Sequence, residues 1–556
     1  MVQQSGSDKH ELQTRWIYAI PIINRYIHRI GLSDILSSRM GGGGMVPHTS
    51  CLLILLRNIL TEREPVYGIG KWASSIEPSL LGVSRDQAAH INDDRIGRSL
   101  DVLFDADRGS MLVEIVKSVV EKFGISMNEF HNDSTTITFS GDYEDADGSD
   151  KRGKETAEIT YGHNKDHRPD LKQLLWTLTV SADGSVPVHY MALDGNTPDS
   201  DTHIETWNFL RKISGRADFL YVADSKLCSR DNMRYIDDHK GRFITVLPAT
   251  RSEVSWFHEY IQNHDIEWTD AFVKKRPKGD IEFSVFESPI PSSEGFRIVW
   301  VWSSQKEELD SGTREKNIRR SVSELEDLES SLRRRRMKKE RIIKTADKAV
   351  SGVPYVRYEI REEKIETYRQ SRRGRPSDET VYRKVSKPVY HISWSIDSKL
   401  MEKDSRSDGT FPLITNCMDI NAAEVLARYK YQPMLEKRYE QLKSVYGVMP
   451  VLFKNITRIE GFLFLYFTAM LIQALIERDT RLAMDQRSMK SIPIYSEERE
   501  CFSPTSDRIL SEFHDVEVHR LVSHGNEVRR FYTEFSDLQK LIMSLLGVSE
   551  EEFRPK

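Results

Sequence analysis

Three acidic residues stand out by type and setting. Asp133 opens a β-branched run in HNDSTTITFS, and Asp224 closes a short apolar run in YVADSKL. Carboxylates at the ends of neighbouring parallel strands emerge close together, where the active sites of open α/β sheets gather. Glu436 lies in YKYQPMLEKRYEQLK, residues 429–443. There Tyr429, Gln432, Glu436 and Lys443 fall at offsets that place them within roughly 60° of one another on a continuous helix. One face would then present a phenol, an amide, a carboxylate and an ammonium. Each feature also has a plain structural explanation. A lone Asp at a strand end caps a turn, and a polar helix face is an ordinary solvated surface. Carboxylates packed together raise one another's pKa. Mg2+ favours oxygen ligands and relieves that repulsion. Two such ions ~3.5–4 Å apart can activate a water and stabilise a leaving oxygen.

The elements that must position these groups are legible in outline. Ser134–Ser140 reads as a strand, and Leu174–Ser181 and Val186–Leu193 as a hairpin around Asp183-Gly184. A helix over Thr202–Ile213 follows, then short apolar strands at Phe219–Ala223 and Phe243–Leu247. Strand–helix–strand order implies a parallel crossover and a mixed α/β sheet. Residues 1–125 read as helical, with helices at Ser50–Leu60 and Ile96–Phe123. Gly41–Gly44 is followed by Met-Val-Pro, so it reads as a linker and not a phosphate loop.

Residues 251–420 interrupt this pattern. A helix is expected over Ser321–Val350, with Arg333–Arg336, Lys338, Lys339 and Arg341 making its second half basic. Strands are expected at Tyr355–Arg369 and Val381–Ser398, split by the basic turn SRRGRP. One-signed charge repeated on two elements suits DNA contact as well as a solvated face. Trp256, Trp268, Trp300 and Trp302 could hold a flipped base or simply pack the inserted sheet. From Asn421 the chain reads as helical to Glu477, and the tail ends in a helix carrying Phe535, Leu538, Leu541 and Leu545.

The net charge of −5 does not advertise a nucleic-acid binder, but a local basic patch can steer DNA on an acidic protein. With 38% hydrophobic and 30% charged residues, the composition is that of a soluble globular chain of several domains. Cys51, Cys228, Cys417 and Cys501 show neither zinc-knuckle nor disulfide spacing, and the first residues are polar. A reduced, cytoplasmic setting is expected. The apolar run Phe462–Leu475 is shorter than the ~20 residues that span a bilayer, so it reads as a core helix.

The spacing of Tyr429, Gln432, Glu436 and Lys443 resembles the Tyr-x2-Arg-x3-Glu-x6-Lys signature of a branch of DDE transposases of bacterial and archaeal insertion sequences. Gln432 stands where the family has Arg, which removes a cationic DNA contact. GHNKDHRPDLKQLLW (162–176) and ALDGNTPDSDTH (192–203) resemble further segments of that family, and the likeness runs from about residue 90 to about 475. It implies an RNase H-like core with Asp133 on the first strand, Asp224 at the end of the fourth and Glu436 on a later helix. Two Mg2+ (or Mn2+) ions would be held there, Asp133 bridging them. The implied activity is cleavage of element ends and joining of the 3′ ends to target DNA, by a protein acting as a homodimer on double-stranded DNA. Tyr429, Gln432 and Lys443, with Lys165, Arg168 and Lys172, would contact DNA, and His163 and His167 would be structural or DNA-contacting.

The expected domains are a helical end-binding and dimerisation region (1–125) and the first part of the core (126–250). An insertion (251–420), the second part of the core (421–478) and a helical tail (479–556) follow. A nuclease without strand transfer, or a silent DNA-binding derivative, would share much of this pattern. A carboxylate-pair glycosidase would leave the basic stretches unexplained.

Overall fold

The computed structural model describes residues 10–276, 279–431, 433–441, 443, 453–495, 497, 499–524 and 526–555, and of Pro433, Met434 and Glu436 only the backbone. The chain forms two compact units. One holds residues up to Thr245 together with those from Arg428 onward, and the other holds Val246–Ala427.

Five strands organise the first unit: β1 (Glu129–Phe139), β2 (Lys172–Ser181), β3 (Pro187–Asp194), β4 (Leu220–Ala223) and β5 (Arg242–Val246). They lie in the order β3-β2-β1-β4-β5. β1, β2 and β3 pair antiparallel, and β4 and β5 add in parallel. The β2–β3 hairpin turns through Asp183-Gly184-Ser185. Gly184 has φ 77°, and a side chain there would meet Arg478 at 2.8 Å. Helix α1 (His203–Ser214) makes the crossover to β4 and buries Trp207 beneath it, and α2 (Arg230–Asp238) links β4 to β5. β1 begins at Glu129, upstream of the expected Ser134, so Asp133 lies inside the strand and not at its mouth.

The expected single helix over Ile96–Phe123 is two, Asp93–Asp105 and Arg108–Phe123. Asp107 separates them because its carboxylate accepts from the Ser110 N–H (3.0 Å) as an N-cap. The tail is not helical throughout. Glu517–Ser523 pairs antiparallel with both His10–Trp16 and Asn526–Tyr532, a ribbon that forms only when chain ends distant in sequence meet. The last helix, Asp537–Leu546, buries Ile542, Met543, Leu545 and Leu546 within the chain.

The apolar run of residues 462–475 forms the middle of a 31-residue helix, Ile456–Gln486. It is long and apolar enough to cross a membrane, and most of it is buried in protein. Helix Asp93–Asp105 packs so closely on it that a side chain at Gly461 would meet the Leu100 carbonyl at 3.0 Å.

The second unit has a sheet of β6 (Thr269–Lys274), β7 (Ile281–Glu287), β8 (Arg297–Ser303) and β11 (Thr410–Thr415), in the order β11-β8-β7-β6. Trp300 stacks on Phe257 (3.6 Å between centroids) and is 1% exposed, so it packs this sheet; Trp256, Trp268 and Trp302 are partly buried. The expected helix Ser321–Val350 begins earlier and breaks, giving α3 (Ser304–Arg334) and α4 (Lys339–Val350). The break falls in the run of like charges, and it lets Leu325 and Leu328 pack on Ile342 and Ala346. The remaining strands, β9 (Val356–Gln370) and β10 (Tyr382–Ile396), form a separate two-stranded ribbon.

Candidate active site

The parallel register of β1 and β4 pairs His131 with Val222 and Asn132 with Ala223. The residue that follows each is an aspartate: Asp133 continues β1, whereas Asp224 lies just past the end of β4 as the cap of the next turn, so the two leave the end of a parallel pairing whose strands are ~4.8 Å apart. Asp133 Oδ1 accepts from the Ser134 N–H (2.8 Å). Asp224 caps the short turn Ser225–Leu227 through the Lys226 N–H (3.1 Å), and its carbonyl accepts from Thr245 Oγ1 on β5 (2.5 Å).

Two further groups complete the cluster. Asp199 opens the short turn before α1. Lys165 reaches in from the loop before β2, pairing with Asp199 Oδ2 (2.9 Å) and donating to Ser134 Oγ (2.6 Å) and the Ser134 carbonyl (2.8 Å). Burial, reinforced by Asp224 and Asp199 and opposed by Lys165, pushes the Asp133 carboxyl up to about 7. Burial also raises Asp224, with Asp199 adding to the rise and the Lys226 N–H and Lys165 resisting it. Burial thus disfavours the charged forms of Asp133 and Asp224, with the Lys165 ammonium opposing it at both and that of Lys226 opposing it at Asp224.

The third expected carboxylate belongs to helix α5 (Pro433–Glu440). Tyr439 of this helix donates its hydroxyl to the Asp133 carbonyl (2.5 Å), and burial together with Asp133, Asp224 and Asp199 holds its pKa well above the ordinary value. Arg438 fastens the other side. It is 3% exposed, pairs with Glu477 (2.9 Å), and donates to the carbonyls of Ser185 and Gly184 in the β2–β3 turn. Glu477 also takes Arg481 (3.5 Å), Gln441 (3.1 Å) and the Ser506 N–H (3.0 Å). The side chain of Glu436 and all of Gln432 lie outside the described residues; the backbone of Glu436 is one turn before Tyr439.

The expected single helix face over residues 429–443 does not form. One helix ends at Tyr429, a turn follows, and α5 starts at Pro433. A proline has no N–H to donate and its ring clashes with the carbonyl four residues back, here that of Tyr429. Tyr429 is partly buried. Lys443 pairs with both oxygens of Asp166 (2.7 and 2.8 Å), Arg168 forks onto Asp170 (2.9 and 2.7 Å), and Lys172 donates to the Asp142 carbonyl. Arg428 is paired with Glu129 (2.5 Å). His163 is exposed, and His167 adopts a left-handed turn conformation at φ 57°.

Asp199 and Tyr439 were not singled out from sequence. Asp199 lies among several acids in a loop, and nothing local marks which one turns inward. Tyr439 had a weak signal, being one turn past Glu436.

Among the described residues no group of three or more His, Cys, Asp or Glu is set to hold a metal ion. The donor chemistry nevertheless suits a hard divalent cation: oxygen-only, partly buried, and carrying more negative charge than Lys165 can balance.

A family model described as a domain of unknown function (DUF4277) matches residues 12–117. No curated protein sequence matches the chain. Among solved structures, the cryo-EM structure of a piggyBac transposase synaptic complex with hairpin DNA aligns over 85% of this chain and 84% of that one, at 10% identity and a TM-score of 0.33. A likeness that loose carries no inference about this chain.

Proposed function

We propose that this chain is a DDE-type DNA transposase with an RNase H-like core, cutting insertion-sequence ends and joining them to target DNA. The observation that carries the reading is the parallel register of β1 and β4, which ends at the Asn132–Ala223 pair so that Asp133 and Asp224 are the next residue on each chain segment. The strand order β3-β2-β1-β4-β5 supports the core assignment, and the docking of α5 on Asp133 through Tyr439 supports Glu436 as the third member of the site.

On this reading Asp133, Asp224 and Glu436 would hold two Mg2+ or Mn2+ ions, which when bound lower the pKa of the attacking water and stabilise the leaving 3′ oxygen. Asp199 neighbours that set. The chain's own contribution is positional. β1 and β4 fix two carboxylates, Tyr439 and Arg438 fix the helix bearing the third, and Lys165 balances charge among them. Lys443, Tyr429 and Gln432, with Arg168 and Lys172, are the proposed contacts to the scissile strand. Lys443 and Arg168 would exchange their present aspartates for phosphate. Action as a dimer, in a prokaryotic cytoplasm, belongs to the same proposal.

The test is a gel assay on DNA carrying the inverted repeats that flank the coding region, with Mg2+ or Mn2+. Cleaved and joined products are expected from the wild type, and neither from Asp133→Asn, Asp224→Asn or Glu436→Gln. Cleavage without joining would reduce the protein to a nuclease. Binding without cleavage by the wild type would leave a silent DNA-binding derivative.

A further inference from the structure

The β9–β10 ribbon is built for something outside the chain. Each strand has 15 residues, so the ribbon is about 50 Å long. Its base is anchored: Val356 and Ile392 are buried with α3 and α4, and Tyr358, Ile360, Tyr390 and Trp394 pack alongside. Beyond that base, among the described residues, no apolar cluster packs on it. Residues 361–369 and 371–379 are all exposed. An isolated two-stranded ribbon is only marginally stable in water, so a bare one of this length is poorly explained as scaffolding.

Its distal charge is predominantly basic and placed against the grain of strand pairing. The register sets Arg369 directly opposite Arg383, and Ile365 opposite Lys387 on the same face. Like charges directly opposed destabilise a ribbon. Arg369, Arg383 and Lys387 make no ion pair among the described residues, whereas on the other face Lys384 is paired with Glu366 (2.6 Å). Arg336, from the basic break between α3 and α4, lies near enough to Lys387 to add to the lowering of its pKa that begins with desolvation, as does Arg369. The connecting turn adds Arg372, Arg373 and Arg375. From Glu366 to Lys387 the ribbon carries seven basic and three acidic residues, and Arg333–Lys339 adds six basic and no acidic ones. The surface is thus a long, exposed ribbon with a net positive charge on an acidic protein; Lys384, Arg333 and Lys339 are paired with Glu366, Glu329 and Glu362, while Arg369, Arg383 and Lys387 have no ion pair among the described residues.

We infer that the distal ribbon, through Arg369, Arg383 and Lys387 together with the Arg333–Arg336 run, is a docking arm for the phosphate backbone of duplex DNA, with the ribbon lying in a groove. The major groove of B-DNA admits a two-stranded ribbon, and the backbone supplies the anions that the opposed arginines lack. The inference deepens the proposed function by assigning DNA engagement to an arm distinct from the carboxylate site. It rests on that reading for its choice of polyanion.

The experiment uses the full chain and a fluorescent duplex of random sequence, titrated across about 50–200 mM salt. Arg369→Gln/Arg383→Gln/Lys387→Gln is compared with wild type and with Arg357→Gln at the ribbon base. The triple variant should bind about tenfold or more weakly, and its slope of log affinity against log salt should shallow by about 2–3, at about 0.9 per lost phosphate contact. Arg357→Gln should bind as wild type does. All three substituted side chains lie on exposed or half-exposed ribbon, and a thermal melt checks that the fold is kept. Unchanged affinity and slope in the triple variant would overturn the arm. So would ribbon-dependent binding to phosphatidylserine vesicles with no ribbon dependence on DNA. If the wild type binds through the ribbon but never cuts element ends, the transposase reading fails and the arm stands; if it cuts while the triple variant binds normally, the reverse holds.

Discussion

Replacing Asp133 with asparagine should stabilise the metal-free protein, and by an amount that depends on pH. The carboxyl is raised from its ordinary value of 3.8 to about 7, by burial first and then by Asp224 and Asp199 against the pull of Lys165. The folded chain therefore holds this proton more tightly than the unfolded chain does. Stability from this group is complete below the unfolded value and is lost as pH rises toward 7. At about 1.4 kcal/mol for each tenfold change in proton affinity, the ceiling on the loss is roughly 4 kcal/mol. Asp133 keeps some solvent contact, which brings the expected figure nearer ~2 kcal/mol. Asparagine preserves the acceptor that takes the Ser134 N–H and removes the charge facing Asp224, Asp199, Lys165 and Tyr439. The assay is denaturant unfolding of both proteins in EDTA at several pH values. The variant's advantage should grow between about pH 4 and 7 and level off above. Adding Mg2+ or Mn2+ at high pH should stabilise the wild type more than the variant, because a ligand of the folded state stabilises by mass action. A pH-independent gap, or a variant less stable than wild type at pH 8, would refute the claim that burial and the neighbouring acids disfavour the charged form of Asp133.

Glu477→Ala should cost about 3–5 kcal/mol in denaturant unfolding, because it strands Arg438 as a buried unpaired cation. Arg438 and Arg481 lower the Glu477 pKa against burial, so its contribution is present above the unfolded value of 4.5 and is lost as pH falls through the lower folded value, which acid titration of the two proteins would show. Tyr439→Phe should cost about 1 kcal/mol of stability by removing one hydrogen bond to the Asp133 carbonyl, and cleavage of element ends should fall while duplex binding is kept. Lys165→Met removes the ammonium that favours ionised Asp133, so the Asp133 carboxyl, followed by carbon NMR, should titrate higher than in wild type.

The sheet was legible because strand signals are local. Thr135, Thr136, Ile137 and Thr138 mark β1, Asp183-Gly184 marks the hairpin, and a helix between short apolar runs implies parallel pairing. That was enough to bring Asp133 and Asp224 together before any coordinates. The break at Pro433 was equally local and was outweighed by the attraction of a family spacing. The proline's own chemistry argued against one helix from Tyr429 to Lys443. Asp199 and Tyr439 were not legible, because their importance comes from facing Asp133 across the fold. The same holds for the strand at His10–Trp16, whose partner is more than 500 residues away in sequence.

This difference bears on how the site is built. The two aspartates gain their proximity from backbone hydrogen bonds between β1 and β4, a register that no side-chain change nearby readily shifts. The helix bearing Glu436 has no such constraint. It is only eight residues long, too short to persist alone in water. Its place depends on Arg438 reaching the β2–β3 turn and Glu477, and on Tyr439 reaching the Asp133 carbonyl. On the proposed reading, the two-strand half of the site would be rigid by topology, and the helical half would be positioned by a few buried polar contacts. Substitutions at Arg438, Glu477 or Tyr439 should therefore impair cleavage while leaving the β1–β4 register and its hydrogen-exchange protection intact, which separates positioning of the third carboxylate from stability of the sheet.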